Sequence, residues 1–175
     1  MTTERLTLTP LTVADAAGML AVYADERMYT FTGGQPLDAE HLFARYEHLA
    51  LGWNHDRSDR WLNWIVRLRG LDDPIGAMQA TVAVDRSQAS VAWEIAVGRW
   101  GNGYASEAAG EMVDWLCRLG VARMSASIHP DHHASGAVAR HLGFAPTDEL
   151  DDGEVVWALA GPDLRDDVSV RSQGR

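Results

Sequence analysis

The sequence predicts a single domain of α/β class (mixed α+β), in which about four helices flank a central, mostly antiparallel sheet. The chain has 175 residues, 46% of them hydrophobic, which is enough for one well-packed core. Strand-like runs in its middle are separated by short polar turns, and its last third alternates strand and helix patterns. We expect this domain over residues 1–162, followed by a polar tail over residues 163–175.

The first third of the chain is predicted to contain one strand and two helices. Residues 5–11 alternate apolar and polar side chains, which indicates a strand. The segment from Thr12 to Asp15 can cap a first helix, and Asp38 can cap a second helix that runs to about Trp53. Helical spacing predicts that four residues of the second helix face inward: Leu42, Phe43, Tyr46 and Leu49.

Three strands, a glycine turn and a long helix are predicted next. The runs at residues 60–68, 75–84 and 90–97 are separated by short turn segments, which indicates antiparallel hairpins. The long helix follows the glycine turn and runs to about Leu119. The chain then continues with a strand, a short helix that Gly143 can end, and a last strand, at residues 122–129, 133–143 and 154–160.

Composition and charge exclude several classes of protein. The formal net charge is −10, whereas nucleic-acid binding needs a basic surface, so we expect no nucleic-acid partner. No apolar run has the length of a membrane span and the N-terminus has no signal-peptide pattern, so we expect a cytoplasmic protein without membrane contact. Cys117 is the single cysteine, which excludes an intrachain disulfide. The acidity suits a cationic partner, although many acidic proteins are charged only for solubility.

Gly101 and Gly103 lie between a predicted strand and the long helix. Glycine lets a ligand approach the backbone closely, and the unpaired amides that open a helix favour negative charge. The turn is therefore a candidate phosphate site. It has neither the GxxxxGK[ST] pattern of a nucleotide P-loop nor the context of a dinucleotide fold. On these two glycines alone, a turn that merely connects strand to helix is the alternative.

The stretch WGNGYASEAAGEM, which begins at Trp100, resembles the acetyl-coenzyme A pyrophosphate loop of the GNAT N-acetyltransferases. The family pattern is R/Q-x-x-G-x-G/A; here Trp100 takes the first place, and Gly103 and Ala105 follow. The W-G-x-G-Y-A-x-E-A form is typical of the Rim-type branch, which contains ribosomal-protein alanine acetyltransferases. Three further segments resemble that branch in the same order, over residues 4–160: ERLTLTPLTVADA, DDPIGAMQATV and HPDHHASGAVARHLGF. His132 and His141 depart from the family's usual Asn and Lys.

The resemblance implies a GNAT-like fold and acetyl-coenzyme A as the acetyl donor. It implies that the donor's diphosphate lies on the glycine turn and that its pantetheine arm runs beside the strand that contains Glu94. Splayed strands there would leave backbone groups free to bond the arm as an added strand. The residues implied for this donor site are Ile95, Ala96, Val97, Trp100, Gly101, Asn102, Gly103, Tyr104, Ala105, Ser106 and His132.

An amine must be neutral before it can attack a thioester, so a base must take its proton. Glu94 is predicted as that base because it falls in AWEIAV, on the strand beside the donor; an ion pair or a solvent-facing position is the alternative. Ser135 matches the family's serine and is predicted to act as an acid toward the leaving thiolate; it could also be a helix N-cap. An amide near Ile95 is expected to stabilise the oxyanion. We interpret Glu107, one turn into the long helix, as structural.

Three histidines crowd into the segment HPDHH: His129, His132 and His133. Imidazole clusters can bind metal ions, but this spacing matches no known metal site and no cysteine helps, so no metal is predicted. We predict that His132 contacts the donor or acts as a second base.

The acceptor is expected to enter across the first two helices and the facing strands. Acidic and aromatic residues there suit a cationic, partly apolar amine: Asp25, Glu26, Tyr29, Phe31 and Trp64. An aminoglycoside-type antibiotic fits that description, which would make this a resistance enzyme, and a protein N-terminus is the alternative. A third hypothesis, a non-catalytic sensor of acetyl-coenzyme A, is motivated by His132 and His141. A homodimer is compatible with the family, in which pairing is frequent.

Overall fold

Seven strands and four α-helices make up residues 1–160, the part of the chain that the computed structural model describes. The strands are β1 (Leu6–Pro10), β2 (Asp59–Leu68), β3 (Pro74–Ala83), β4 (Ala89–Ile95), β5 (Arg123–Ile128), β6 (Ala145–Asp151) and β7 (Glu154–Ala160). The helices are α1 (Ala16–Tyr23), α2 (Ala39–Ala50), α3 (Tyr104–Leu119) and α4 (His133–His141), with three short 3₁₀ helices at Val13–Asp15, Glu26–Tyr29 and Val97–Arg99. The expected domain boundary at residue 162 and the tail lie outside the described residues.

The strands form one sheet in the order β1-β2-β3-β4-β5-β7-β6. Neighbouring strands run antiparallel except β4 and β5, which are parallel. The predicted fold class, a mostly antiparallel sheet with four helices, is confirmed. Within the described residues, β4 and β5 pair only at Ala89–Met124 and Ser90–Ser125. Beyond Ser90 the two strands separate, so the carboxyl half of β4 lines an opening in the sheet.

Alternation along the strands sends side chains into two separate cores. On one face of the sheet, Ile65 of β2 packs with the buried residues of α1 and α2. On the other face, its neighbour Trp64 packs with the buried residues of α3 and α4. In β4, Ile95 belongs to the core under α3, so the preceding residue, Glu94, points to the face that α1 and α2 cover.

Capping residues set the helix boundaries, as the sequence predicts. Thr12 and Asp15 form a capping box at the 3₁₀ turn that leads into α1. The Asp38 carboxylate accepts a hydrogen bond from the His41 amide at 2.9 Å at the start of α2. Gly143, with a φ of 88°, ends α4. Among the helices of the described residues, none is long and apolar enough to cross a membrane.

Two details of α2 differ from the prediction. The helix ends at Ala50 and not near Trp53, whose backbone forms an isolated bridge after the helix. Phe43 was expected to face inward, but 39% of its surface is exposed. Leu42 and Tyr46, four residues apart, define the buried face, and residue 43 lies about 100° further around the helix.

Strand β6 is not predicted by the sequence analysis. Almost all of its residues are exposed, so no apolar alternation marks it as a strand. A local signal was nevertheless present: Asp152 and Gly153 join β6 to β7 with positive φ angles of 48° and 86°. Asp-Gly is a strong two-residue hairpin signal, and it is the feature that could have revealed this strand.

Candidate active site

The glycine turn connects the end of β4 to α3. Gly101 and Gly103 adopt positive φ angles of 74° and 77°, a conformation that other residues rarely adopt. The side-chain amide of Asn102 donates to two carbonyl oxygens of the preceding residues, both at 3.0 Å. These bonds fix the turn in a shape that makes Gly103 the N-cap of α3.

The backbone amides of residues 101–106 donate no hydrogen bond to any group in the described part of the chain. A Cβ placed on Gly101 would meet no atom within 4 Å, so the turn is open to a ligand. The first amides of a helix carry the positive end of its dipole, and proteins use such unpaired amides to bind phosphate. The turn therefore fits the diphosphate of acetyl-coenzyme A.

Arg5 and Glu107 anchor this turn to the start of the chain. The Glu107 carboxylate accepts hydrogen bonds from the Thr3 hydroxyl at 2.5 Å, the Arg5 amide at 2.9 Å and the Arg5 Nε at 2.6 Å. The Arg5 guanidinium also donates to the Asn102 carbonyl at 3.0 Å and lies 4.7 Å from the centre of the Tyr104 ring. Burial pushes the pKa of Glu107 upward, but the hydrogen bonds outweigh it and hold that pKa below its ordinary value. The carboxylate thus holds the turn in place.

The end of β4 is tied to the glycine turn and to β3. The Trp100 indole donates to the Ile95 carbonyl at 2.6 Å, on the side of the opening. The Ala96 amide instead donates to the Ile75 carbonyl at 2.8 Å. The predicted contact of Ala96 with the donor stays a prediction, and it cannot use this amide, because the amide is bonded to β3. Residues alternate along a strand, so the amide of Ile95 points toward the opening with its carbonyl.

Glu94 lies on β4 just beyond the point where β4 and β5 separate. Its Oε2 atom accepts a hydrogen bond from the Tyr23 hydroxyl at 2.5 Å. Tyr23 ends α1, and its carbonyl accepts a hydrogen bond from the Tyr29 hydroxyl at 3.1 Å. Within the described residues Glu94 forms no ion pair, and it is half-buried, so the alternatives of an ion pair and a solvent-facing position are not found.

Close approach of β3 fixes the backbone at Glu94. Gly76 of β3 is paired with Ile95. A Cβ on Gly76 would lie 2.1 Å from the Glu94 carbonyl oxygen, a distance that no side chain can adopt. Position 76 therefore requires glycine because the two strands approach so closely there.

Two tyrosines, Tyr23 of α1 and Tyr46 of α2, lie on the same face of the sheet as the Glu94 carboxylate. Burial raises the pKa of Tyr23 well above its ordinary value, and the negative charge of Glu94 raises it further. Burial raises the pKa of Tyr46 to about 12, although the neighbouring Tyr23 hydroxyl opposes the rise. The Tyr46 hydroxyl is buried and makes no hydrogen bond of ordinary geometry in the described part of the chain. Both phenols stay protonated at neutral pH, so Tyr23 acts as a donor to Glu94.

Ser135 lies in the first turn of α4, shortly after the carboxyl end of β5. Because β4 and β5 are parallel, Glu94 and Ser135 come from strand ends at the same edge of the sheet. The N-cap of α4 is His132, so the alternative that Ser135 is the N-cap is wrong. The Ser135 hydroxyl makes no hydrogen bond within residues 1–160 and can donate to a ligand.

Phe31 crosses from the segment between α1 and α2 to the loop before α4. Its ring stacks on His132 with a centroid distance of 4.4 Å and lies 5.5 Å from His129. Burial lowers the pKa of His132, and the neighbouring His129 lowers it further, so His132 is neutral at pH 7. The described residues contain no group of three or more His, Cys, Asp or Glu placed to hold a metal ion.

Of the residues predicted to bind the acceptor, Tyr29 contacts the carbonyl of Tyr23, and Phe31 contacts His129 and His132 before α4. Asp25 instead caps the 3₁₀ helix that follows it and forms an ion pair with Arg27 at 2.6 Å. Its hydrogen bonds to Arg27 lower the pKa of Asp25 to about 2. The negative charge of Asp25 is therefore already paired with the positive charge of Arg27. Glu26 is exposed on the same short helix.

Trp64 is wrong as an acceptor-binding residue. It is only 7% exposed and packs edge-on against Trp115 of α3, with a centroid distance of 5.5 Å. It therefore belongs to the core on the far side of the sheet. Trp61, three residues earlier, lies on the acceptor face, 4.7 Å from the ring of His48 in α2.

Four residues around these sites were not singled out from the sequence: Arg5, Tyr23, Arg45 and Tyr46. The sequence predicts only that Tyr46 faces inward on α2, and it assigns no role to Tyr23. A signal was available, because a buried tyrosine normally needs a partner for its hydroxyl. The guanidinium of Arg45 lies over the Tyr23 ring, 5.7 Å from its centre.

Comparison with known proteins gives two sequence matches. The family model of the acetyltransferase (GNAT) domain matches residues 5–145. YoaA of Bacillus subtilis, an uncharacterized N-acetyltransferase, is 26% identical to this chain over 145 residues, which are 81% of this chain and 80% of the relative.

Many solved structures share the fold, among them two in complex with coenzyme A. RimL, a ribosomal L7/L12 alpha-N-protein acetyltransferase in complex with coenzyme A, matches with a TM-score of 0.75 and 15% identity over 90% of this chain and 95% of its own. Spermidine N-acetyltransferase from Vibrio cholerae, in complex with coenzyme A and spermine, matches with a TM-score of 0.74 and 15% identity over 91% and 97%. A protein acetyltransferase and a polyamine acetyltransferase match equally well, so the Rim-type branch is not singled out.

The family match covers most of the chain, and the open glycine turn and the separated strands lie where the resemblance requires them. The chain therefore belongs to the GNAT acetyltransferase family, and it is an N-acetyltransferase that depends on acetyl-coenzyme A.

Proposed function

We propose that this chain transfers the acetyl group to the primary amine of a small molecule, by direct attack of the amine on the thioester. The observation that carries the proposal is Glu94, a half-buried carboxylate held by Tyr23 beside the opening between β4 and β5. An ammonium group that enters there can give its proton to this carboxylate, directly or through water. The acyl carbon–sulfur bond breaks, a carbon–nitrogen bond forms, and the departing thiolate takes up a proton.

The groups around the opening have distinct roles in this proposal. Acetyl-coenzyme A supplies the thioester when bound, and the amides of residues 101–106 hold its diphosphate. The Ile95 amide donates to the carbonyl oxygen as negative charge develops there. The Ser135 hydroxyl donates to the departing sulfur. His132, neutral and stacked on Phe31, contacts the donor at the other rim of the opening.

The class of amine is the finer part of the proposal. An aminoglycoside-type polycation, which the acidic residues suggested, has less support than expected because Asp25 is paired with Arg27. We prefer a small amine to a protein N-terminus because the segment between α1 and α2 lies against both sides of the site, with Tyr29 bonded to Tyr23 beside Glu94 and Phe31 stacked on His132. The cytoplasmic location and the homodimer remain predictions.

Calorimetry with acetyl-coenzyme A, followed by a free-thiol assay on small amines and N-terminal peptides, tests the proposal. We expect Glu94→Gln to lower kcat/KM by at least about 100-fold without changing the affinity for acetyl-coenzyme A. Glu149→Gln, at an exposed position on β6, is the matched control and should keep full activity. Equal activity of the two variants would remove Glu94 as the base. Donor binding without turnover of any amine would favour the sensor hypothesis.

A further inference from the structure

We infer that the acceptor carries an oxyanion, a carboxylate or a phosphate, close to its amine, and that Arg45 binds this oxyanion. The inference rests on the proposed function, since it takes Glu94 as the group that receives the amine. It adds the chemical class of the rest of the acceptor, which the family does not specify.

Arg45 and Glu94 both lie against one tyrosine side chain. The Tyr23 hydroxyl donates to Glu94 at 2.5 Å, and the guanidinium carbon of Arg45 lies over the same ring, 5.7 Å from its centre. A negative group and a positive group therefore lie close to the same phenol ring. A compact acceptor, with its two charged groups a few bonds apart, can contact both.

The second observation is that the side chain of Arg45 has no partner of opposite charge among the described residues. Two arginines in this part of the chain are half-buried, Arg45 and Arg67. Arg67 pairs with Asp15 at 2.5 Å and donates to the Thr9 hydroxyl and the Asp72 carbonyl, both at 2.9 Å. The Arg45 guanidinium forms neither an ion pair nor a hydrogen bond within residues 1–160.

The sequence of α2 explains why no partner is at hand. The positions three and four residues from Arg45, where a helical ion pair would form, hold only apolar residues and histidine: His41, Leu42, His48 and Leu49. A guanidinium has five hydrogen-bond donors, and those of Arg45 bond to no group of the described residues, so they stay available to a ligand. A ligand that brings an oxyanion satisfies them.

Arg45 and Glu94 act on the same three tyrosines. Burial raises the pKa of Tyr23, Tyr29 and Tyr46, the charge of Glu94 raises it further, and the charge of Arg45 lowers it. Tyr23 and Tyr46 are buried, whereas Tyr29 is half-buried. Both charges therefore lie close enough to this tyrosine group to be reached by one small acceptor.

This surface suits a zwitterion better than a polycation. A second ammonium on the acceptor would be repelled by Arg45, and the nearby Asp25 is already balanced by Arg27. A carboxylate or phosphate, in contrast, matches the planar fork of a guanidinium through two parallel hydrogen bonds.

Matched acceptor pairs test the inference through kcat/KM in the free-thiol assay. The pairs are phenylalanine against phenylalaninamide and O-phosphoethanolamine against ethanolamine, with spermidine and kanamycin as polycations. We expect the wild type to prefer the anionic member of at least one pair by tenfold or more, and the preferred pair distinguishes carboxylate from phosphate. Arg45→Gln should raise KM for that anionic acceptor about 10- to 100-fold and leave its neutral counterpart unchanged. Arg45→Lys should restore part of the loss.

Arg118→Gln is the control, because Arg118 lies in an exposed ion pair on α3. Circular dichroism and acetyl-coenzyme A affinity verify that each variant is folded. Preference for a neutral or polycationic acceptor, or an equal loss on both members of a pair in Arg45→Gln, would overturn the inference and leave the proposed function standing.

If no amine is acetylated, calorimetry of the coenzyme A-loaded protein decides the question. The probes are N-acetylphenylalanine, N-acetyl-O-phosphoethanolamine and their neutral counterparts. Tighter binding of the anionic probes that is lost in Arg45→Gln supports the inference while the proposed reaction fails. Equal binding of anionic and neutral probes overturns the inference.

Discussion

Replacement of Glu107 by alanine is expected to destabilise the protein and to loosen the donor site. The Glu107 carboxylate accepts three hydrogen bonds from the first residues of the chain. The donors are the Thr3 hydroxyl and the amide and Nε of Arg5. Arg5 in turn holds the Asn102 carbonyl in the glycine turn. Loss of the carboxylate therefore releases the start of the chain and one support of the turn together.

The size of the effect follows from these contacts. A hydrogen bond to a charged group contributes about 1.5–3 kcal/mol when it is protected from water. The Arg5 side chain is 45% exposed, so solvent screens its share and the three bonds do not add in full. We expect Glu107→Ala to lower the free energy of unfolding by about 2 kcal/mol, which for a chain of this size corresponds to a fall in Tm of about 4–8 °C.

Urea unfolding at pH 7 measures this loss, and calorimetry measures the weaker binding of coenzyme A. Glu111→Ala is the matched control on the same helix, because Glu111 pairs with Arg118 at 3.1 Å on the surface. Its expected cost is about 0.5 kcal/mol. Equal losses in the two variants would refute the reasoning.

The difference between wild type and Glu107→Ala should also depend on pH. In the folded protein the pKa of Glu107 lies below its ordinary value of 4.5, which applies to the unfolded chain. The carboxylate therefore stabilises the fold fully above about pH 4.5, and this contribution is lost as the pH falls through the lower folded value. A difference that grew with acidification would contradict this sign.

Two further substitutions test the acceptor side of the sheet. Tyr23→Phe removes the hydroxyl that holds Glu94 and should lower kcat/KM about tenfold, with acetyl-coenzyme A affinity unchanged by calorimetry; unchanged kinetics would contradict this positioning role. Gly76→Ala forces a Cβ against the Glu94 carbonyl and should cost about 2 kcal/mol or more in urea unfolding. The control is Gly98→Ala, whose Cβ would meet nothing within 4 Å and which should cost less than about 1 kcal/mol. Equal losses in the two variants would show that the close approach of β3 and β4 is not the reason for glycine at position 76.

The glycine turn could be predicted from the sequence because its signals are local. Gly101 and Gly103 indicate a turn with positive φ angles, and the helix that follows them supplies the unpaired amides. The separation of β4 from β5 is different, because it depends on pairing between strands that are distant in the chain. The residues alone do not predict it, and the family resemblance supplied that expectation.

The acceptor side could be predicted only in part because it depends on the partner that each side chain finds. Asp25 has the negative charge expected of a cation-binding residue. In the fold, however, its carboxylate forms an ion pair with Arg27, two residues later. Trp61 and Trp64 fall on opposite faces of β2, and alternation alone does not say which face is the core. Arg45 could not be assigned from the sequence, because only the fold places its guanidinium over the ring of Tyr23, whose hydroxyl bonds to Glu94.

The narrow junction between β4 and β5 has a consequence for the amount of this protein in a cell. Two short pairings join the two halves of the sheet, at Ala89 and Ser90. A donor molecule bound across the opening links these halves and adds stability by mass action, about 2.7 kcal/mol at a hundredfold excess over its Kd. Proteases remove mainly the unfolded fraction of a protein, so the abundance of this chain is expected to rise and fall with the supply of acetyl-coenzyme A.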